Sequence, residues 1–344
     1  MAAEKKERIV LDVAYQPQVR TEQDTRSLML DVLLALIPAL AVAVWQYGVY
    51  PLLVVLVSMA SAVFFEWGYR KLLKKESSIG DLSACVTGVL LALVLPPKAP
   101  LYIPVIGTFF AIVVVKQLYG GIGKNFLNPA LAGRAFLLAS YSTVMGAWVK
   151  PEVVDAYTSA TPLSYLYGDS ALPAAYSIKA LFVGLTPGCI GEVSALALLL
   201  GGIYLVVRKV INWRIPVSFI GTVAVLTLIF GKDGYSNGAW MMYNILSGGL
   251  FLGAIFMATD YATSPVTPNG MLLYGFGCGA ITVLIRYFGG YPEGVSYAIL
   301  IMNLCTWAID KAFHRHQFGV TKEDLAAEKA AKKAAKAAAK EAAE

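Results

Sequence analysis

The sequence is poor in the residues that bind metals and haem in proteins. Its two histidines, His314 and His316, lie close to the C-terminus, which excludes a haem held by two histidines within a membrane. Its four cysteines stand far apart and form no Cys-x-x-Cys pair, so the signatures of an iron–sulfur centre and of a zinc site are absent. We expect the cysteines to be small buried hydrophobic residues.

Charged residues are scarce as well, which excludes an ordinary soluble domain. They make up 15% of the chain, against about 25% in a typical soluble protein, while hydrophobic residues make up 58%. This composition indicates a polytopic membrane protein. The net charge of +6 does not indicate nucleic-acid binding, because the basic residues lie in the termini and in loops. Residues 1–27 are polar, so no cleavable signal peptide is visible.

Ten apolar segments have about the 17–21 residues that a helix needs to cross a bilayer. They occupy residues 28–47, 50–68, 81–97, 101–118, 127–147, 193–209, 215–231, 239–258, 271–288 and 295–312. We therefore predict an all-α fold with about ten transmembrane helices in residues 28–312. A cytoplasmic segment (1–27) precedes them, and an Ala-, Lys- and Glu-rich cytoplasmic tail (313–344) follows. A weak repeat of broken-helix loops, at 128–130 and 264–270, indicates two halves, as in transporters.

Basic residues mark one side of this predicted topology. They fall in the N-terminal segment, in 70–75, in 116–124, in 208–214 and in the tail, whereas the other side receives few. Loops rich in lysine and arginine stay in the cytoplasm, so both termini are predicted to be cytoplasmic. The same count places the one long polar connection, residues 146–177, on the outer face.

That outer connection contains a hydroxyl whose neighbours are small. Thr161 follows Ser159 and Ala160, and small neighbours leave a hydroxyl accessible to another protein. A second interpretation makes Thr161 the N-cap of a short helix, 162–167, with Pro162 as its first residue. The two interpretations are compatible, because a capping threonine can also carry a covalent group.

A glycine-rich run joins two of the predicted spans. Glycines permit close approach of the backbone to a ligand, and the neighbouring lysine and asparagines supply hydrogen-bond donors. The run is suited to a phosphate or to the edge of a flavin, although it matches neither the Walker A nor the dinucleotide-binding motif. The alternative is a glycine-rich turn. Its candidate binding residues are Lys116, Gly120, Gly121, Gly123, Asn125 and Asn128.

Ionisable residues within apolar segments are candidates for function, because burying an unpaired charge is unfavourable. Arg134 lies in the middle of a predicted span. Asp260 begins a loop with two prolines and four hydroxyl residues, which suits either a cavity wall or a cytoplasmic loop with helix caps. We take Arg134 and Asp260 as candidates for an ion or flavin cavity. Four other residues lie close enough to span ends to reach the interface: Asp31, Glu66, Arg286 and Asp310.

Several long motifs occur in an order typical of one family. They are 81–97 (DLSACVTGVLLALVLPP), 119–137 (YGGIGKNFLNPALAGRAFL), 155–163 (DAYTSATPL), 192–216, 258–270 (ATDYATSPVTPNG) and 285–310. From about residue 30 to residue 311 the chain resembles the D subunit of the Rnf electron-transport complex. It is similar, more distantly, to the B subunit of the sodium-translocating NADH:quinone reductase.

The resemblance implies that FMN is joined covalently, through its phosphate, to the hydroxyl of Thr161. The family motif has the form Asp-x-x-Ser/Thr-Gly-Ala-Thr, which Asp155, Thr158 and Ala160 match, while Ser159 replaces the usual glycine. A flavin transferase would attach the FMN on the outer face. The family fold, ten helices related to urea transporters, and a second, noncovalent flavin such as riboflavin are further expectations.

The same resemblance implies a subunit of a ferredoxin:NAD⁺ oxidoreductase in a prokaryotic cytoplasmic membrane, coupling electron transfer to Na⁺ or H⁺ translocation. Other subunits would be its partners, because this chain has neither cysteine motifs for iron–sulfur centres nor a NAD fingerprint. A B-type reductase subunit is an alternative within the family. A channel or secondary transporter for a small polar solute is the alternative from another class, since broken loops and ten helices fit it equally well.

Overall fold

The computed structural model describes residues 24–148, 161–168, 173, 176–192, 194–290 and 293–313, and every regular element within those ranges is a helix. The first helices are α1 (Thr25–Tyr47), α2 (Tyr50–Leu72), α3 (Ser83–Leu93), α4 (Tyr102–Phe109), α5 (Pro129–Ser140), α6 (Ser142–Met145) and α7 (Pro162–Tyr167). The others are α8 (Ile178–Val183), α9 (Ala195–Val207), α10 (Arg214–Ile229), α11 (Asn237–Leu246), α12 (Leu250–Leu252), α13 (Pro268–Phe288) and α14 (Val295–Ala312). Two π-helical segments, Phe110–Gln117 and Gly253–Met257, continue α4 and α12, and Ile79–Asp81 is a short 3₁₀ turn.

Helix length and apolar composition agree with a membrane protein. Within the described residues three helices are long and apolar enough to cross a bilayer: α1, α2 and α13. A fourth span results if α11 and the α12–π segment, which meet at an angle of 61°, are counted as one bent crossing. Each of the other predicted segments also contains helix, but these helices are shorter.

Large apolar side chains face outward as well as inward. On α1, Leu30, Leu34 and Ile37 are exposed and follow helical spacing, so they form one apolar stripe. The inward faces form a continuous core in which α1 packs along α9, α2 along α3, and α10 along α13. A protein that is apolar on both its inner and outer faces suits a lipid environment.

Several helices begin at a polar cap followed by proline. Asn128 accepts hydrogen bonds from the backbone N–H groups of Ala130 and Leu131, at 3.0 and 3.3 Å, and Pro129 is the first residue of α5. Thr267 caps α13 in the same way, ahead of Pro268. Proline suits the first helical position because its missing N–H would have no partner there. Both loops that were predicted to break helices therefore start helices.

The segment between α8 and α9 folds back into the protein and completes the end of α3. The N–H of Ile190 donates to the carbonyl of Leu95 at 3.0 Å, and that of Gly191 donates to the carbonyl of Leu93 at 2.7 Å. Such carbonyls have no partner within their own helix and are normally satisfied from outside it. This contact lets α3 end inside the protein after 11 residues. It also brings Cys189 to a buried position.

A glycine pair separates α11 from α12. Gly248 and Gly249 have φ angles of 77° and 64°, in the left-handed region that glycine adopts readily. A Cβ on Gly248 would lie 2.7 Å from Nη2 of Arg286 and 2.8 Å from Cδ2 of Leu163. Glycine is therefore required here by close packing as well as by backbone conformation.

Candidate functional site

A cavity lies between the glycine-rich run and the loop that begins at Asp260. It has a volume of about 430 Å³, within the range of roughly 300–1,000 Å³ typical of ligand pockets. We call it the asparagine cavity. Its lining includes the predicted residues Lys116, Gly123, Asn125, Asn128 and Asp260, together with apolar side chains from α1, α3 and the second π-helical segment. Two separate sequence predictions therefore meet in one cavity.

Lys116 lines the asparagine cavity and also forms a buried ion pair with Glu66. Its Nζ lies 2.7 Å from Oε2 of Glu66 and 2.6 Å from the hydroxyl of Ser83, and the Lys116 and Glu66 side chains are 3% and 0% exposed. Ser78 donates to the other oxygen of Glu66. The prediction that Glu66 reaches the interface is wrong, because its charge is neutralised inside the protein by a lysine on the neighbouring helical segment. A buried ion pair needs further hydrogen bonds to both charged groups, and Ser78 and Ser83 provide them here.

The two asparagines of the cavity also bind the backbone. The Asn128 amide donates to the carbonyl of Met257 at 3.0 Å, while its oxygen caps α5. The Asn125 amide donates to the carbonyl of Leu127 at 3.0 Å. Asp260 accepts from Thr263 at 3.1 Å, and burial raises the pKa of the Asp260 carboxyl, an effect that the Thr263 hydroxyl opposes. The polar groups are thus held in fixed positions at the cavity wall.

The glycines of the run have different positions. Gly120 and Gly121 have φ angles of 114° and 99° and their N–H groups bond to the carbonyls of Gln117 and Lys116. They form the turn that closes the π-helical segment, so the turn interpretation fits them. Gly123 does line the cavity. Close by in sequence, the buried amide nitrogen of Gln117 has no hydrogen-bond partner.

Thr161 caps α7 and lines a second, smaller cavity. Its Oγ1 accepts from the N–H of Ser164 at 3.3 Å and lies 2.8 Å from the Ser164 hydroxyl, which confirms the N-cap interpretation. The predicted accessibility of this hydroxyl is wrong, because Thr161 is 1% exposed. Leu163 and Leu166 anchor α7 against Trp240 and bury the cap with it. The remaining motif residues lie outside the described part of the chain: Asp155, Thr158, Ser159 and Ala160.

The cavity beside Thr161, which we call the threonine cavity, has a volume of about 120 Å³. Its lining includes the polar residues Thr161, Ser164, Arg134, Glu293 and Ser296. Arg134 and Asp260 were both predicted to be cavity residues. The structure places them in different cavities, Asp260 in the asparagine cavity and Arg134 beside Thr161.

Arg134 is held by residues from distant parts of the chain. Its Nη2 lies 2.6 Å from Oε2 of Glu293 and 3.7 Å from Sγ of Cys189, and its Nη1 lies 2.8 Å from the hydroxyl of Ser296. Its Nε is buried and has no hydrogen-bond partner. Glu293, with Cys189 and Glu192, forms a group whose ligand-type atoms lie within 4.8 Å of one another. Sequence analysis missed Glu293, although an acidic residue directly before an apolar segment was a usable signal.

Tyr167 and Arg286 lie on the other side of α7. The Tyr167 hydroxyl donates to Oδ1 of Asn244 at 2.6 Å. Burial raises the pKa of the Tyr167 phenol, and the positive charge of Arg286 opposes that shift. Arg286 itself is 1% exposed, so the prediction that it reaches the interface is wrong for this residue too.

Comparison with known proteins decides the family. The model of the NQR2, RnfD, RnfE family matches residues 12–319, nearly all of the chain. The chain belongs to the NQR2, RnfD, RnfE family. The family resemblance predicted from the motifs is therefore confirmed.

Members of the NQR2, RnfD, RnfE family are similar to this chain over almost their whole length. The D subunit of the Na⁺-translocating ferredoxin:NAD⁺ oxidoreductase complex of Acetobacterium woodii is 47% identical over 316 residues, covering 91% of this chain and 96% of the relative. The D subunit of the proton-translocating complex of Clostridium ljungdahlii is 42% identical, covering 91% and 97%. The D subunit of the ion-translocating oxidoreductase complex of Escherichia coli K12 is 33% identical, covering 88% and 96%.

Proposed function

We propose that this chain is the D subunit of an ion-translocating ferredoxin:NAD⁺ oxidoreductase complex in a prokaryotic cytoplasmic membrane. The observation that carries the proposal is the similarity to subunits of that name across about nine-tenths of both chains. The other subunits of the complex would be its partners. They would provide the ferredoxin and NAD⁺ sites, since this chain carries neither cysteine motifs nor a dinucleotide fingerprint.

Within that complex, FMN is attached covalently to Thr161. Thr161 lines a partly polar cavity, and the positively charged Arg134 lines the same cavity. These groups suit a negatively charged phosphoester. Attachment forms a bond between Oγ1 and phosphorus, releases the hydroxyl proton and breaks a pyrophosphate bond in a flavin dinucleotide donor, with a nucleoside monophosphate as leaving group. A flavin transferase would catalyse this step, and the bound flavin would supply one- and two-electron chemistry.

Replacing Thr161 tests the attachment. We expect Thr161→Ala to abolish flavin fluorescence of the protein band on a denaturing gel, and Thr161→Ser to retain it, in a host that contains the transferase. Thr267→Ala is the matched control, because Thr267 also caps a helix ahead of a proline. A flavin that persists in Thr161→Ala would move the attachment to another hydroxyl, such as Ser159. A wild-type band without fluorescence defeats the flavoprotein proposal.

A second, noncovalent flavin such as riboflavin occupies the asparagine cavity in this proposal. The cavity has the volume of a ligand pocket and combines apolar walls with a few fixed polar groups, as small-molecule sites do. Lys116, Asn125 and Asp260 would face the polar edges of the ring system or its side chain.

The asparagine cavity is tested by counting flavins. We expect acid precipitation of the purified wild-type protein to release about one flavin per chain, identified by chromatography, while the covalent flavin stays in the pellet. Asn125→Leu fills the cavity wall with an apolar side chain and should lower the released flavin at least tenfold. Asn237→Leu changes an exposed asparagine at the start of α11 and should leave it unchanged. Equal release from both variants would contradict a flavin in this cavity.

The orientation in the membrane is also part of the proposal. Both termini lie in the cytoplasm, and the connection that contains Thr161 lies on the outer face. The distribution of lysine and arginine along the sequence supports this orientation.

A further inference from the structure

We propose that Arg134 positions the phosphodiester that FMN attachment creates on Thr161, and that the threonine cavity receives this phosphodiester but not the flavin ring. The inference rests on the proposed attachment to Thr161. It assigns a role to a buried arginine that lies far from Thr161 in sequence but borders the same cavity.

The hydrogen bonding of Arg134 leaves one of its three nitrogens without a partner. The two terminal nitrogens are used, by Ser296 and by Glu293 with Cys189, whereas the Nε–H is buried and unpaired. Arg134 is 8% exposed, so it is largely removed from bulk solvent. A buried donor without an acceptor is unfavourable, so the guanidinium that lines the threonine cavity is incompletely satisfied by the protein. Guanidinium groups are well suited to phosphate oxygens in both charge and geometry.

A purely structural role explains only part of this arrangement. The bonds to Glu293 and Ser296 join α5 to the start of α14, as an ordinary buried ion pair would. That role requires neither a cavity beside the guanidinium nor an unpaired Nε. It also does not require the cavity to be bordered by the acceptor hydroxyl, Thr161.

The size of the threonine cavity limits which part of FMN it receives. A volume of about 120 Å³ exceeds what a single water needs but falls below the roughly 300 Å³ of a typical small-molecule pocket. A phosphate group fits this volume, whereas a three-ring flavin does not. The phosphodiester therefore lies inside the cavity, and the flavin ring lies beyond it.

Other polar groups of the cavity complete the site. Ser296 accepts from Arg134 and keeps its own hydroxyl hydrogen available as a donor. Ser164 has a hydroxyl 2.8 Å from Oγ1 of Thr161, next to the atom that would carry the phosphorus. Glu293 shares the guanidinium, so a phosphodiester would compete with this carboxylate for the same positive charge. The contact between Arg134 and the phosphodiester should strengthen when Glu293 is neutralised.

The test uses full-length protein that has been loaded with flavin by the transferase and purified in detergent. Covalent loading is measured by fluorescence on a denaturing gel. The state of the phosphodiester is measured by its ³¹P resonance and by flavin fluorescence anisotropy in the native protein. We expect Arg134→Gln to shift the ³¹P resonance toward its value in denatured protein and to lower the anisotropy, with a smaller effect in Arg134→Lys. Arg208→Gln is the matched control, since Arg208 also pairs with a buried carboxylate, Asp31, but borders neither cavity.

Each outcome separates the two proposals. A loaded Arg134→Gln protein with a wild-type resonance and anisotropy overturns the role of Arg134 and leaves the attachment intact. A wild-type protein without covalent flavin overturns both. If Arg134→Gln does not fold, Glu293→Gln decides: a ³¹P resonance displaced further from the denatured value supports the role, and an unchanged one contradicts it.

Discussion

Arg286 on α13 donates to two main-chain carbonyls, those of Asn244 at 2.6 Å and Ser247 at 3.1 Å. These carbonyls lie in the last turn of α11 and at its C-cap, Ser247. They have no partners further along the helix, because the chain breaks at Gly248. The guanidinium also places a positive charge at the negative end of the helix dipole. A buried arginine thus stabilises a helix end within the protein.

Removing this charge should destabilise the protein at the break between α11 and α12. We expect Arg286→Met to lower the free energy of unfolding by about 2–3 kcal/mol, because hydrogen bonds from a charged group are lost and the carbonyls stay buried. Arg208→Met should change it by less than about 1 kcal/mol, since the Arg208 side chain is 57% exposed. Equilibrium unfolding in mixed micelles of a mild detergent and dodecyl sulfate measures both. Equal stability of the two variants would show that other donors reach the carbonyls.

At the level of helices, starts were easier to predict than ends. Thr161-Pro162 was recognised as a helix start from the sequence, because a cap and its proline are neighbours in the chain. The break at Gly248 was not recognised, because residues 239–258 are mostly apolar and have the length of one span. The end of α3 depends on Gly191, which lies almost a hundred residues away in the sequence and satisfies the carbonyl of Leu93. Local pattern carries no information about such distant partners.

The same limit applies to the charged residues. Glu66 and Lys116 are 50 residues apart, and each lies close to the end of an apolar segment. Position along the segment predicted an interfacial side chain for Glu66. In the structure α2 packs against the first π-helical segment, and Lys116 on that segment neutralises the charge of Glu66 in the interior.

Over the whole molecule, the sequence identified the helical class, the family and five polar or glycine residues that line the asparagine cavity. The pairing of Arg134 with Glu293 joins residues 159 positions apart and was not predicted. The cysteines were predicted to be buried; Cys189 and Cys278 are, but Cys305 is exposed. The apolar composition fits an exposed cysteine as well as a buried one. Only the packing of the helices distinguishes Cys305 from Cys189 and Cys278.

The proposed orientation predicts which surface residues can be labelled from outside the cell. In a cysteine-free background, we expect Lys98→Cys and Lys179→Cys to react with a membrane-impermeant maleimide on intact cells. Lys209→Cys should react only after the membrane is permeabilised. All three positions are exposed, so access to reagent depends on the side of the membrane. Labelling of Lys98→Cys and Lys209→Cys from the same side would contradict the predicted number of crossings between them.

The burial of Thr161 has a consequence for the order of biogenesis. A transferase cannot reach a hydroxyl that is 1% exposed behind α7, which is anchored by Leu163 and Leu166. If FMN is attached to Thr161 as proposed, attachment takes place on a newly inserted chain before α7 docks, or during local unfolding of that short helix. Attachment of FMN and docking of α7 would then compete in time. In that case a chain in which α7 docks before loading matures only when this helix unfolds locally.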